Sequence, residues 1–221
     1  MKKALSMLPL VLALAGMSTV SQAQDAKGGD AATGATKAAM CIGCHGIVGY
    51  QATFPEVYKV PMISGQGAKY IVSALTAYQK GDRKHPTMRG IAASLTEQDM
   101  ADLGAYYEQL GKGVGTPAPT ALAKPVPDAL KDRMAACVAC HGANFSAPID
   151  PAYPRLAGQH ADYLYVALKA YQTQGNPQVG RSNAVMGGVA KQFTHAELKA
   201  MAAYLGSLPG TLKTVPQSRF R

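Results

Sequence analysis

The sequence predicts an all-α protein made of two like domains, and three observations carry that prediction. Cys-x-x-Cys-His-Gly appears twice, at residues 41–46 and 137–142, and uses all four cysteines of the 221-residue chain. The two halves align with each other well beyond these motifs. Within each half the apolar residues recur at helical spacing, while alanine and glycine abound, tryptophan is absent and β-branched runs are few.

The first stretch is not part of the expected fold. Lys2 and Lys3 precede a mostly apolar run from Leu5 to Gly16, and Ser21-Gln22-Ala23 supplies small residues, the layout of a secretory signal cleaved near Ala23. Pro9 interrupts the run, which is shorter than the ~20 residues a membrane-spanning helix needs. The expected product is an exported, periplasmic monomer. Its first domain spans residues 24–110, a connector spans 111–127 and the second domain spans 128–221.

A helix over roughly Ala31 to Met40 leads into the first motif, and one over Pro127 to Ala136 leads into the second. Past the motifs, at an offset of 93, Pro61, Gly65, Gln66, Tyr70, Leu75 and Tyr78 fall on Pro154, Gly158, Gln159, Tyr163, Leu168 and Tyr171. Ile71, Leu75 and Tyr78, like Leu164, Leu168 and Tyr171, follow i, i+4, i+7 and give each copy a helix with one buried face. After small insertions near Gly81 and Gly175 the offset becomes 98. There Met88, Ala92, Thr96, Ala105, Tyr106 and Leu110 meet Met186, Ala190, Thr194, Ala203, Tyr204 and Leu208.

The last helix of each copy starts at a threonine. Thr194 with Glu197 forms a capping box and Thr96 with Asp99 a weaker one. A long unit present twice is a duplicated domain, not a solenoid. The connector GKGVGTPAPTALAKPVP sets three glycines before four prolines and cannot continue a helix.

Charge is unevenly divided. Residues 24–116 carry nine Lys and Arg against eight Asp and Glu, whereas residues 117–221 carry eleven against five. The basic residues are scattered and no nucleic-acid reader motif accompanies them, so a nucleic-acid partner is not expected. An acidic patch on a protein partner, or peripheral contact with an anionic membrane surface, suits the second half better.

Export sharpens the cysteine question, because free thiols do not persist in an oxidising compartment. Cys-x-x-Cys-His is the spacing for covalent haem attachment: two thiols one helical turn apart add to the vinyl groups, and the next residue, His45 or His141, faces the iron. Three alternatives compete with two haems c held by Cys41, Cys44, Cys137 and Cys140. A four-cysteine zinc site would join pairs 96 residues apart, not the 15–20 of common ribbons. A redox Cys-x-x-Cys would want a βαβ context. Plain disulfides would leave the repeated histidines unexplained.

A second axial ligand follows from the internal alignment. Met40, Met62, Met100, Met134 and Met201 meet other residue types in the opposite copy, and only Met88 and Met186 meet each other. Both fall in segments of polar and small residues, HPTMRG and SNAVMGG, read here as loops before the last helix. Met100 and Met201 read as core fillers. His85, three residues before Met88, stands as an alternative ligand for the first haem, while His160 and His195 read as surface residues at helix starts.

Across the mature chain the sequence resembles the dihaem cytochromes of the c4 family. CIGCHG and CVACHG, YPRLAGQHADYL with its looser partner VPMISGQGAKYI, and the helix LTEQDMADLGAYYEQL carry the likeness. The resemblance implies two tandem class I cytochrome c domains, each with a His/Met-ligated haem c. It also implies that the carbonyls of Pro61 and Pro154 accept from the ligand histidines, fixing their rings. Gly34, seven residues before Cys41, sits where the family often has a small residue at a helix crossing. The second copy departs from the pattern with Leu130, so its crossing should be wider or shifted.

Irons closed on both faces leave no position for a substrate, and neutral His and Met ligands let the metal change charge with little rearrangement. The expectation is therefore an electron carrier, not an enzyme, working between respiratory redox proteins and feeding a terminal oxidase or another acceptor. The competing readings are a dihaem thiosulfate-oxidising enzyme, which needs an exchangeable ligand, and the cytochrome subunit of a flavocytochrome dehydrogenase, which needs a flavoprotein partner.

Overall fold

A computed structural model of the chain describes residues 28–112 and 121–217. The expected signal region, 1–23, and the middle of the connector, 113–120, lie outside the described residues.

The first half opens with α1 (Ala31–Lys37) and α2 (Ala39–His45), one helix broken at Ala38. Sequence spacing ended this helix near Met40. It instead runs through the whole motif, because Ile42 and Gly46 donate to carbonyls four residues back at 3.1 and 3.0 Å. A loop containing a small hairpin, β1 (Gln51–Ala52) with β2 (Tyr58–Lys59), leads to α3 (Ala68–Lys80). Gly81, at φ 83°, ends that helix in the left-handed region that glycine adopts without strain. Then come β3 (Arg83–Lys84), α4 (Pro86–Ala93) and α5 (Glu97–Leu110).

The second half repeats the order with fewer parts. A 3-10 turn over Asp128–Leu130 leads into α6 (Lys131–His141), which also runs through its motif. Then follow α7 (Ala161–Gln172), β4 (Gly180–Arg181), α8 (Ala184–Ala190) and α9 (His195–Ser207). The connector is not wholly detached from this half: Leu122 and Val126 pack on its core, and the Lys124 carbonyl accepts from the Tyr204 hydroxyl at 2.9 Å.

Each half buries its own core. Ile42, Ile71, Met100, Leu103 and Tyr107 form the first, and Met134, Phe145, Leu164, Leu198 and Leu205 the second. Met100 and Met201 are core residues, 1% and 2% exposed, as their helical positions imply. Both last helices carry full capping boxes, the Thr96–Asp99 one included.

The halves meet about a pseudo-twofold axis. Gln66 donates to the Arg155 carbonyl (3.1 Å) and accepts from its amide (2.8 Å). Gln159, its counterpart at the same offset, donates to the Met62 carbonyl (2.9 Å) and accepts from the Met62 amide (3.0 Å). Residue i touches j′ and j touches i′, the rule for an isologous contact. β3 and β4 complete the interface as an antiparallel pair with Arg83 opposite Arg181.

Candidate functional site

The two motif histidines are held alike. His45 Nδ1 lies 2.8 Å from the Pro61 carbonyl, and His141 Nδ1 lies 3.0 Å from the Pro154 carbonyl. A carbonyl only accepts, so Nδ1 carries the hydrogen and Nε2 keeps its lone pair. Burial pushes both imidazole pKa values down, against a smaller upward pull from the proline carbonyls. Both rings are therefore neutral at pH 7 and able to ligate a metal through Nε2.

A cavity of about 740 Å³ runs across both halves and brings all eight site residues together. Cys41, Cys44, His45 and Met88 line it from one side of the interface, and Cys137, Cys140, His141 and Met186 from the other. The remaining wall is mainly apolar, with Ile71, Leu75 and Leu103 in the first half and Leu164, Leu168 and Leu198 in the second.

The methionines stand on helices, which corrects the loop reading. Met88 is the third residue of α4 and Met186 the third of α8. Pro86 pre-sets the first turn of α4, while Asn183 caps α8 by accepting from the Met186 amide at 2.9 Å. Helices of this length show too little periodicity to be read from apolar spacing. His85 has both ring nitrogens engaged, Nδ1 with the Met88 amide at 3.4 Å and Nε2 with the Tyr58 hydroxyl at 3.1 Å. His160 is the N-cap residue of α7, half-buried, and His195 is the exposed first residue of α9.

None of the four cysteines is in a disulfide, and burial pushes the Cys41 thiol up and the Cys137 thiol to about 11. Among the described residues no three of His, Cys, Asp and Glu converge on a cation site, so the two cysteine pairs do not assemble a zinc centre. The donor set instead fits haem c in each half: two thiols one turn apart, a neutral imidazole with a free lone pair, a thioether and apolar walls. Tyr107 Oη and Arg83 Nε, both in the cavity lining, are buried without a hydrogen-bond partner.

Two groups of residues here were missed in the sequence. Gln66 and Gln159 were visible as repeats, but their clamps cross the interface. Arg83 and Arg181 stand at the offset of 98 that aligned the methionines, and extending that alignment five residues upstream finds them. They share the phenol of Tyr163, which accepts from Arg83 at 2.7 Å and from Arg181 at 3.2 Å. Burial raises the Tyr163 pKa but the two guanidiniums outweigh it, leaving the phenol at about 8. Its counterpart Tyr70, bonded to Arg83 alone at 3.2 Å, is pushed by burial to about 12.

A cytochrome c family model matches the chain twice, over residues 31–111 and 131–209. Cytochrome c4 of Azotobacter vinelandii is 31% identical, with 94% of this chain and all of that one aligned. A thiosulfate dehydrogenase electron acceptor of Stutzerimonas stutzeri is 32% identical over 88% of this chain and 94% of its own length. The crystal structure of reduced recombinant cytochrome c4 from Pseudomonas stutzeri superposes with a TM-score of 0.60 at 26% identity, covering 82% of this chain and all of that one.

Proposed function

The chain belongs to the cytochrome c4 branch of the cytochrome c family, and on that premise we propose that it is a periplasmic shuttle between respiratory redox proteins, with a terminal oxidase as its acceptor. It is a two-haem electron-transfer protein. One observation supports the two-haem reading most: both Cys-x-x-Cys-His motifs and both methionines line a single, mainly apolar cavity.

Cys41 and Cys44 would hold one haem and Cys137 and Cys140 the other, with His45 and Met88, and His141 and Met186, as the residues that would ligate the irons. Each haem, when bound, supplies a one-electron Fe(III)/Fe(II) couple. The chain's own contribution is to fix and to exclude. The carbonyls of Pro61 and Pro154 lock the imidazole tautomer and raise its basicity. The N-caps at His85 and Asn183 fix the turns that carry the methionines. Apolar walls keep water away, so little solvent reorganises when charge changes. With an imidazole and a thioether both committed to each iron, the site would transfer electrons and bind no substrate.

Carbon monoxide tests this reading. The reduced native protein should not bind it without unfolding, whereas Met88→Ala and Met186→Ala should each open one haem to it and lower that haem's potential. Carbon monoxide binding by the native protein would favour an open-site enzyme, and an unchanged spectrum in the Met88 variant would reassign the first ligand.

The likeness to a thiosulfate dehydrogenase electron acceptor favours a second reading of the donor. In that reading a thiosulfate-oxidising enzyme delivers electrons to this chain, which remains a carrier. Reduction of the purified protein by such an enzyme plus thiosulfate, but by neither alone, would support it. No helix among the described residues is long and apolar enough to cross a membrane. Association through the basic second half should slow as salt is raised.

A further inference from the structure

A buried tyrosine hydroxyl usually finds a partner, because leaving it unpaired costs free energy that a hydrocarbon side chain would not. Tyr107 departs from that rule in the wall of the cavity. It is 5% exposed, and among the described residues its Oη is the one buried, unpartnered hydroxyl that lines the cavity. The side chain is well fixed. Its ring meets that of Tyr106 edge-on at 5.0 Å, and its carbonyl accepts from the Gly65 amide at 2.8 Å. Cys41 packs against the same core cluster.

The hydroxyl acts on that cysteine. Burial raises the pKa of the Cys41 thiol, and Tyr107 pulls it back down. Burial, then the charge of Cys41, raise the phenol in turn, so it stays a neutral O–H. The second domain has no counterpart. The position matching Tyr107 at the offset of 98 is Leu205, 3% exposed, and burial lifts Cys137 with no hydroxyl opposing it. A thiol both donates and accepts, which leaves the direction of such a pairing open. Once its sulfur bears carbon in place of hydrogen it can only accept, and the phenol beside it is the donor.

We propose that the Tyr107 hydroxyl donates to the Cys41 sulfur when that sulfur carries the first haem, and so raises that haem's potential selectively. This rests on the two-haem reading above. A proton held against a sulfur on the porphyrin rim draws electron density from the ring, which disfavours Fe(III) more than Fe(II). An apolar wall screens the effect little. With Leu205 in its place, the second haem lacks this influence, although the residue types expected to ligate it are the same. Tyr107 is a potential-setting residue, not a ligand.

The test is a redox titration of the holoprotein carrying Tyr107→Phe or Tyr107→Leu, with each haem's step assigned through Met88→Ala and Met186→Ala. Tyr107→Phe keeps the ring and loses only the hydroxyl. It should lower the reduction equilibrium of the first haem about threefold, roughly 28 mV at ~59 mV per tenfold for one electron, and leave the second haem where it was. Tyr107→Leu, which installs the second domain's residue, should lower it at least as far. An unmoved first potential in Tyr107→Phe, or equal shifts of both haems, would overturn the bond. So would a loss seen with Tyr107→Leu but not with Tyr107→Phe, which would make Tyr107 a packing residue only. Should Tyr107→Phe fail to take up two haems, the vibrational spectrum of the parent decides. A thioether C–S band should move on equilibration in deuterated buffer, and bands that all stay in place would defeat the proposal. A parent without two haems by intact mass defeats the functional reading, whereas a dihaem parent whose Phe variant is indifferent defeats only the bond.

Discussion

The two domains anchor their first helix across their last helix by different means. In the first, Gly34 lets α1 approach α5 so closely that an added Cβ would lie 2.1 Å from the Asp102 carbonyl oxygen. Asp102, 3% exposed, then accepts from Lys37 Nζ at 2.8 Å, the Asp30 amide at 2.9 Å and Gln98 at 2.9 Å. In the second domain the matching positions are Leu130, Ala200 and Val126. Leu130 and Met134 fill the gap against Leu198, Met201 and Ala202, and the contact is apolar. An ion pair from the first helix to the capping-box acid is common to both, Lys37–Asp99 and Arg133–Glu197, each at 2.5 Å.

The loops after the motifs differ as well. In the second domain Phe145, at φ 57°, folds inward to full burial while Ile149 stays exposed, and the longer loop of the first domain leaves Ile47, Val48 and Val57 exposed. One duplicated frame thus tolerates two solutions at the helix crossing and in these loops. At the histidine–proline bonds and the methionine caps the copies agree.

The sharpest way to break this comparison is to exchange the crossing residues. Gly34→Leu should destabilise the first domain by about 3 kcal/mol or more through overpacking, and Leu130→Ala should cost the second about 3 kcal/mol through the cavity left behind. Thermal melts followed at each haem would assign each loss to its domain, and a loss spread equally over both would contradict separate anchors. Next in size, Asp102→Ala should cost about 2 kcal/mol and leave the second domain's transition in place. The smallest substitution effects should be equal: Thr96→Ala and Thr194→Ala each remove a cap worth about 1 kcal/mol.

Acid should sharpen the shared part. The bond from Lys37, then the cap from Thr96, hold Asp99 at about 2 against its ordinary 3.8. The Thr194 amide, then Arg133, hold Glu197 at about 2 against 4.5. The folded carboxyls are the stronger acids, so this stabilisation is complete above about pH 4.5 and is lost as pH falls toward 2. Lys37→Gln, which removes the largest influence on both Asp99 and Asp102, should flatten the acid dependence of Tm more than Arg133→Gln does. An equal response would show that the Asp102 latch adds nothing.

Much of this could be read from the residues. The cysteine–histidine motifs, the buried helix faces at Ile71, Leu75 and Tyr78, and the singular Met88–Met186 match carry local or repeated signals. Proline carbonyls behind the histidines were legible through the family resemblance. The latch at Asp102 was not, because a lone acid on an amphipathic helix reads as a solvated residue until Lys37 is seen to reach it. Nor was the interface, since Gln66 and Arg155 meet across 89 positions with no periodicity to announce it. The α4 and α8 helices were lost to their shortness, although Pro86 and Asn183 were start signals in plain view.

The account stands on each half holding its own covalently attached haem, and intact mass of the exported protein, from a cell that matures c-type cytochromes, tests that most directly. The mass should exceed that of the processed polypeptide by two haems. A mass equal to the bare chain, or to the chain with a single haem, would contradict it.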